Sequence, residues 1–146
     1  MIQRIQSLYL LLAAGAGAAT LFYNLWKAKL SNGTESYVNA SSNYVMYVIY
    51  IVIILLALGC IFLYKRRKLQ FRLTVFNILF AIGALVLQYS IVQQTANKLN
   101  SGGVTITSAT YLPASFLPVA LIILLFLAAR GIYKDEKLIK SLDRLR

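Results

Sequence analysis

Four stretches of this 146-residue chain, 8–25, 44–64, 73–92 and 111–129, contain no Lys, Arg, Asp or Glu. A helix needs about 20 mostly apolar residues to cross a hydrocarbon layer of about 30 Å. All four runs approach that length, and helices in water-soluble cores rarely stay uncharged for so long. Composition points the same way: 60% of residues are hydrophobic and 13% charged, against about 45–50% and about 25% in soluble domains. The runs predict an all-α integral membrane fold, an antiparallel bundle of four transmembrane helices forming a single domain over 1–146. Residues 130–146 form a tail after the last helix. The arithmetic excludes a disordered chain and a disulfide-stapled secreted domain.

The first run has an alternative reading. Met1-Ile2-Gln3-Arg4, then an apolar core, then Ala14-Gly15-Ala16-Gly17-Ala18 resembles a cleavable signal peptide. The apolar stretch continues past the small residues through Thr20–Leu25 to Trp26, which favours a retained helix. A mature chain beginning near Gly17 or Ala19 would leave three helices.

Orientation follows from the basic residues. Arg4, Lys65, Arg66, Arg67, Lys68, Arg72, Arg130, Lys134, Lys137, Lys140, Arg144 and Arg146 make up 12 of the 15 Lys and Arg, and an even number of spans places them on one side. Lys27, Lys29 and Lys98 are left for the other. This asymmetry predicts cytoplasmic termini under the positive-inside rule. It also accounts for the formal charge of +11 without nucleic acid, because the bases flank spans rather than forming a free basic domain. Tyr23, Trp26, Tyr44, Tyr47, Tyr89 and Tyr111 near the outer ends, with Tyr9, Tyr64 and Tyr133 near the inner ones, suit a belt of rings at headgroup level. Tyr44, Tyr47 and Tyr50 are spaced for ligand stacking, but the belt explains them more simply.

The short connection at 65–70 requires the second and third helices to form an antiparallel hairpin. The outer connections are longer. Val104-Thr105-Ile106-Thr107 carries a strand signal and could pair with Tyr37-Val38-Asn39 as a small extracytoplasmic β-element. An isolated pair would need support from the bundle or a partner. Asn32-Gly33-Thr34 and Asn39-Ala40-Ser41 match a glycosylation acceptor, a chance match in so polar a loop. Pro113 and Pro118 suit the opening of the fourth helix, where a missing N–H is harmless, and Ser115 is placed to cap that turn.

Helices in lipid associate through close contact and hydrogen bonds. Gly15 and Gly17 on the first helix, Gly59 on the second and Gly83 on the third are candidate packing positions, within the molecule or in a homo-oligomer. Asn77 and Gln88 are candidates for interhelical hydrogen bonds. Function is narrowed mostly by what is missing. There is no His and one Cys, so histidine acid–base chemistry, histidine metal sites and an internal redox pair have no residues to carry them. Cys60 reads as a small packing residue. Glu35, Asp135, Glu136 and Asp143 all fall outside the spans, where no coupled exporter would place its acid. No phosphate-cradling glycine motif follows a strand, and no nucleophile–base pair for a lipid enzyme can be assembled. The reading is non-enzymatic, with no catalytic, metal or cofactor-binding residue and no cofactor.

The tail is the segment with a positive suggestion. Leu138, Ile139, Leu142 and Leu145 fall on one face of a helix. Lys137, Lys140 and Arg144 decorate the rest, with Asp135 and Glu136 near its start, where the helix dipole favours acids. Such a cytoplasmic amphipathic helix can lie on anionic phospholipid headgroups or insert into a partner groove.

Three segments, Met1–Leu12, Arg66-Arg67-Lys68-Leu69-Gln70 and Asp135–Arg146, resemble a family of small four-helix membrane proteins of Bacteroidota classed as a domain of unknown function. The resemblance covers the whole chain. It implies a bacterial inner membrane and periplasmic outer loops, and it brings no catalytic residues. The resulting expectation is an accessory subunit of a larger inner-membrane complex, with protein export or insertion machinery as one host. It would dock through Arg66, Arg67, Lys68, Lys137, Leu138, Ile139, Leu142 and Leu145. The competing expectation is a passive channel or uniporter for a small solute, formed by a homo-oligomer and lined by Asn77, Gln88 and Ser90.

Overall fold

A computed structural model of the chain describes residues 2–103 and 105–143, with side chains for 5–103 and 105–139. Its elements are α1 (Ile2–Phe22), β1 (Asn24–Leu30), β2 (Glu35–Asn39), α2 (Tyr44–Phe62), α3 (Arg67–Ser101), β3 (Ile106–Tyr111) and α4 (Leu117–Asp143). The local boundaries have local causes. Asn43 caps α2, its Oδ1 accepting from the N–H groups of Val45 at 3.0 Å and Met46 at 3.3 Å, which satisfies donors that a helix start leaves open. A 3-10 turn at Leu63–Lys65 then reverses the chain, with Arg66 N–H donating to Leu63 O at 2.9 Å. The expected α2–α3 hairpin is present.

α1 packs on α2 and α4, and α3 packs on the same two helices. Contacts along neighbouring helices run in opposite order: Gly17 lies near Leu121 and Gly131 near Gln6, while Asn77 reaches Ile53 and Gln70 reaches Cys60. Met46, Tyr50, Ile53, Ala57 and Cys60 of α2 are buried, as are Leu121, Leu125, Ala128 and Ile132 of α4. Their alternating spacing of four and three keeps one stripe facing the neighbours. Leu11, Leu55, Leu79, Val86, Ile123 and Phe126 point outward and are exposed. Apolar patches of this kind mark membrane or protein contact, and all four helices are long and apolar enough to cross a membrane.

The small sheet differs from the pairing expected of it. Its order is β2-β1-β3, both pairs antiparallel. β3 therefore pairs with β1 and not with Tyr37-Val38-Asn39. The central strand arises where α1 was expected to continue to residue 25. α1 stops at Phe22, and Asn24-Leu25-Trp26-Lys27-Ala28-Lys29-Leu30 runs extended. Trp26 and Ala28 face inward while Lys27 and Lys29 face out, the two-residue period of a half-buried strand. A register shift between Asn24 and Trp26 lets Leu25 join the bundle core while Trp26, 3% exposed, enters a second core with Ala28, Val38 and Val92. Trp26 is thus not an interfacial ring.

That second core explains the length of α3. Its 35 residues span about 52 Å, well beyond the run 73–92. Val92, Ala96 and Leu99 on its far end support the sheet. Gly102 N–H closes the helix on Lys98 O at 3.1 Å and Leu99 O at 3.2 Å, and Gly103, at φ +79°, takes the left-handed conformation that glycine adopts cheaply. At the other outer connection, Tyr111 ends β3 instead of opening a helix. Pro113–Phe116 is a 3-10 turn, and α4 begins at Leu117 with Pro118 in its first turn. Ser115 does not cap; its hydroxyl donates back to Leu112 O at 2.6 Å.

Candidate docking site at the basic end

α1, α3 and α4 meet at the end of the bundle that carries the α2–α3 turn. Gln6 Nε2 donates to Asp135 Oδ2 at 2.7 Å, and Arg67 Nη1 lies 3.7 Å from the same oxygen. Gln6 and Asp135 are both 6% exposed. The approach of α1 to α4 depends on Gly131, because a Cβ there would come within 2.8 Å of Gln6 Cγ. Beside this joint, the rings of Phe71 and Tyr133 tie α3 to α4 with centroids 5.9 Å apart. Burying a carboxylate is costly unless it is paired and hydrogen-bonded, and here it is both.

Asp135 was expected at the start of a separate tail helix. That helix does not exist as a unit: α4 runs unbroken from Leu117 to Asp143, 27 residues. The acid lies within it, on the stripe that follows Ala128 and Ile132 inward. Neither Gln6 nor Gly131 carried a sequence signal for this role. The stripe's four-and-three spacing, continued past the apolar run, would have pointed to Asp135.

Outside the joint, the turn and α4 enclose a cleft of ≈ 610 Å³ lined by Lys65, Arg66, Arg67, Lys68, Leu69, Glu136 and Ile139. Arg66 and Lys68 are exposed, whereas Arg67 is held partly inside by Asp135, with 23% of its side chain exposed. Lys65 Nζ sits 5.9 Å from the centre of the Tyr64 ring. Of the predicted docking residues, the structure gathers Arg66, Arg67, Lys68 and Ile139 around one concavity. Lys137 and Leu138 are exposed but do not line it. The side chain of Leu142 and the whole of Leu145 lie outside the described residues. Four cations and one carboxylate line the cleft, which gives it an excess of positive charge.

The packing positions divide. A Cβ on Gly17 would meet Ile54 Cγ1 at 3.0 Å and Leu121 Cδ1 at 3.3 Å, so that glycine is where α1 closes on α2 and α4. Gly15, Gly59 and Gly83 would meet nothing within 4 Å and do not pack the bundle. Asn77 and Gln88 do bond between helices. Asn77 Nδ2 donates to Ile53 O at 3.1 Å, its buried Oδ1 lacking a partner among the described residues. Gln88 accepts from Tyr50 OH and donates to Ser115 O, both at 3.2 Å. Tyr50 is fully buried, so it belongs to this seam and not to a ring belt. Gln70 Nε2 donates to Cys60 O at 2.9 Å, and Thr74 donates to Gln70 O at 2.9 Å. Ser90 donates to Val86 O within its own helix at 3.0 Å. Gln88 lines a cleft with Leu85, Tyr89, Tyr111, Ser115, Phe116 and Val119, and neither Asn77 nor Ser90 is part of it.

The opposite end carries a different charge arrangement. Lys27 Nζ lies 2.8 Å from Glu35 Oε1, and the Tyr37 hydroxyl donates to Glu35 Oε2 at 2.5 Å. Hydrogen bonding between Lys27 and Glu35 raises the Lys27 pKa above its ordinary value and lowers that of Glu35. Among the described residues no group of three or more His, Cys, Asp or Glu is positioned to hold a metal.

Residues 2–145 match the family described as Domain of unknown function (DUF4293), and the chain belongs to that family. No curated protein and no solved structure matches it.

Proposed function

We propose that the chain, a member of DUF4293, is a non-enzymatic accessory subunit of a larger complex in the inner membrane of Bacteroidota. In this reading the basic end and both termini face the cytoplasm, and export or insertion machinery is one host. The observation that carries the reading is the construction of the basic end. α4 projects past the spans as one continuous helix, braced against α1 and α3 through Gln6, Asp135 and Arg67. It presents Lys134, Lys137 and Leu138 outward, the last 53% exposed. A braced helix loses little freedom on binding, which lowers the entropic cost of docking. The segregation of 12 of the 15 basic residues favours the inward orientation.

The polar side chains within the spans favour docking over a solute path, because Asn77 and Gln88 are engaged between helices. Purification of the tagged native protein in mild detergent should recover stoichiometric membrane partners, and a Lys137→Glu/Leu138→Glu variant should lose them. Recovery of a lone monomer or dimer after crosslinking would end the subunit proposal. Solute flux through liposomes, abolished by Gln88→Leu, would replace it with a homo-oligomeric channel.

A further inference from the structure

We infer that the cleft between the α2–α3 turn and α4 holds the phosphodiester headgroup of an anionic phospholipid. The inference rests on the placement of the basic end at a membrane surface and adds a ligand to it. Three observations define the occupant. The first is level. The cleft begins at Lys65, the residue after the uncharged run 44–64, and is flanked by Tyr64 and Tyr133, 53% and 57% exposed. Such rings sit where hydrocarbon gives way to headgroups.

The second is charge. Lys65, Arg66, Arg67 and Lys68 line the cleft against one carboxylate, Glu136. Guanidinium groups bind phosphate oxygens in a fork, and ammonium groups add point charge. A headgroup carrying its own cation would be repelled by this lining, so a net-anionic lipid is selected over a zwitterionic one. Arg67 is the exception among the four. Asp135 holds it from behind, leaving Lys65, Arg66 and Lys68 as the outward donors.

The third is the apolar part of the wall. Leu69 of α3 and Ile139 of α4, 41% and 40% exposed, both line the cleft beside the cations. A free phosphate would leave both uncovered. A phospholipid places glycerol carbons and the start of its chains there, which removes apolar surface from water.

The test uses the full chain in nonionic detergent, with adducts counted by native mass spectrometry. Phosphatidylglycerol should bind at concentrations where phosphatidylcholine does not. Arg66→Gln/Lys68→Gln should weaken it roughly thirtyfold, through the loss of two cations that contact the phosphate directly. Arg130→Gln/Lys134→Gln removes equal charge outside the cleft, where solvent and salt screen it, and should change binding less than about threefold. Ile139→Gln, which keeps every cation, should also weaken the lipid. Equal losses in the two double variants would show diffuse attraction and overturn the assignment. Competition by inorganic phosphate at the concentration of the lipid would assign the cleft to free phosphate instead. Partner recovery by the wild-type chain is read separately, so loss of the lipid site and loss of the subunit reading are distinct results.

Discussion

The two ends of this bundle are built on opposite principles. At the sheet end, the protein makes a second apolar core: Trp26, Ala28 and Val38 lie against Val92 on an α3 that outruns its apolar stretch. At the basic end the described residues form no such cap. Three helices converge instead on one buried carboxylate, shared by Gln6 and Arg67. The sheet end has directional strand ladders of its own, but it is joined to α3 through area removed from water, which is tolerant of direction. The basic end is held by charge and hydrogen bonds, which are not. An apolar cap suits a region that is to be stable by itself, whereas a directional joint sets the angle at which a projecting helix leaves the bundle.

The sharpest challenge to that contrast is Trp26→Ala. Removing a buried aromatic costs about 3–5 kcal/mol. Hydrogen exchange should show β1, β2 and β3 opening while amides around Asp135 keep their protection. Simultaneous loss at both ends would mean that the two regions form one cooperative unit.

Asp135→Ala comes next, at about 2 kcal/mol, because it strands a buried donor on Gln6 while Arg67, 23% exposed, can turn to water. Asp135→Asn retains an acceptor for Gln6 and should cost clearly less by reversible unfolding in detergent. If the two variants cost the same, the hydrogen bond to Gln6 contributes nothing.

Gly17→Val should cost about 1–3 kcal/mol by overpacking against Ile54 and Leu121. Gly15→Val, two residues away, should leave monomer stability nearly unchanged, since nothing beyond its own stretch of helix lies within 4 Å of its Cβ position. Equal destabilisation would refute the placement of Gly17, and not Gly15, at the contact of α1 with α2 and α4.

The smallest effect concerns the exposed Lys27–Glu35 pair. Glu35 has a lowered pKa, so its contribution is present above the ordinary value of 4.5 and is lost as pH falls through the folded value. Lys27 has a raised pKa, so its contribution is present below the ordinary 10.5 and is lost as pH rises through the folded value. Local opening of the β1–β2 hairpin, after correction for intrinsic exchange, should stay flat between those limits and rise beyond either. A slope inside the window would assign the pair no part in holding the hairpin.

How much of this was legible before the structure differs by residue. The four helices apolar enough to cross a membrane were readable because each contains a long uncharged segment, and the α2–α3 hairpin because Lys65–Gln70 is too short for anything else. The strand at Asn24–Leu30 was hidden: it begins inside an apolar run, and its alternation emerges only from Trp26 to Leu30. Gly15 and Gly17 are equivalent as letters, and only the facing side chains of Ile54 and Leu121 tell them apart. Asp135 resembled a solvated acid in a basic tail because its partners lie 129 and 68 positions away, at Gln6 and Arg67.

The sequence by itself determined how many helices are apolar enough to cross a membrane, where the basic residues concentrate, and which chemistries lack residues to perform them. Transfer from water and charge are properties of a segment, and they can be summed along the chain without knowing its neighbours. Tertiary structure alone decided that β1 takes the centre of the sheet, that Gly17 and Gly131 are the close approaches, and that Asp135 turns inward toward Gln6 and Arg67. Those outcomes depend on the relative rotation and register of helices far apart in sequence, which are settled only when the packed side chains meet.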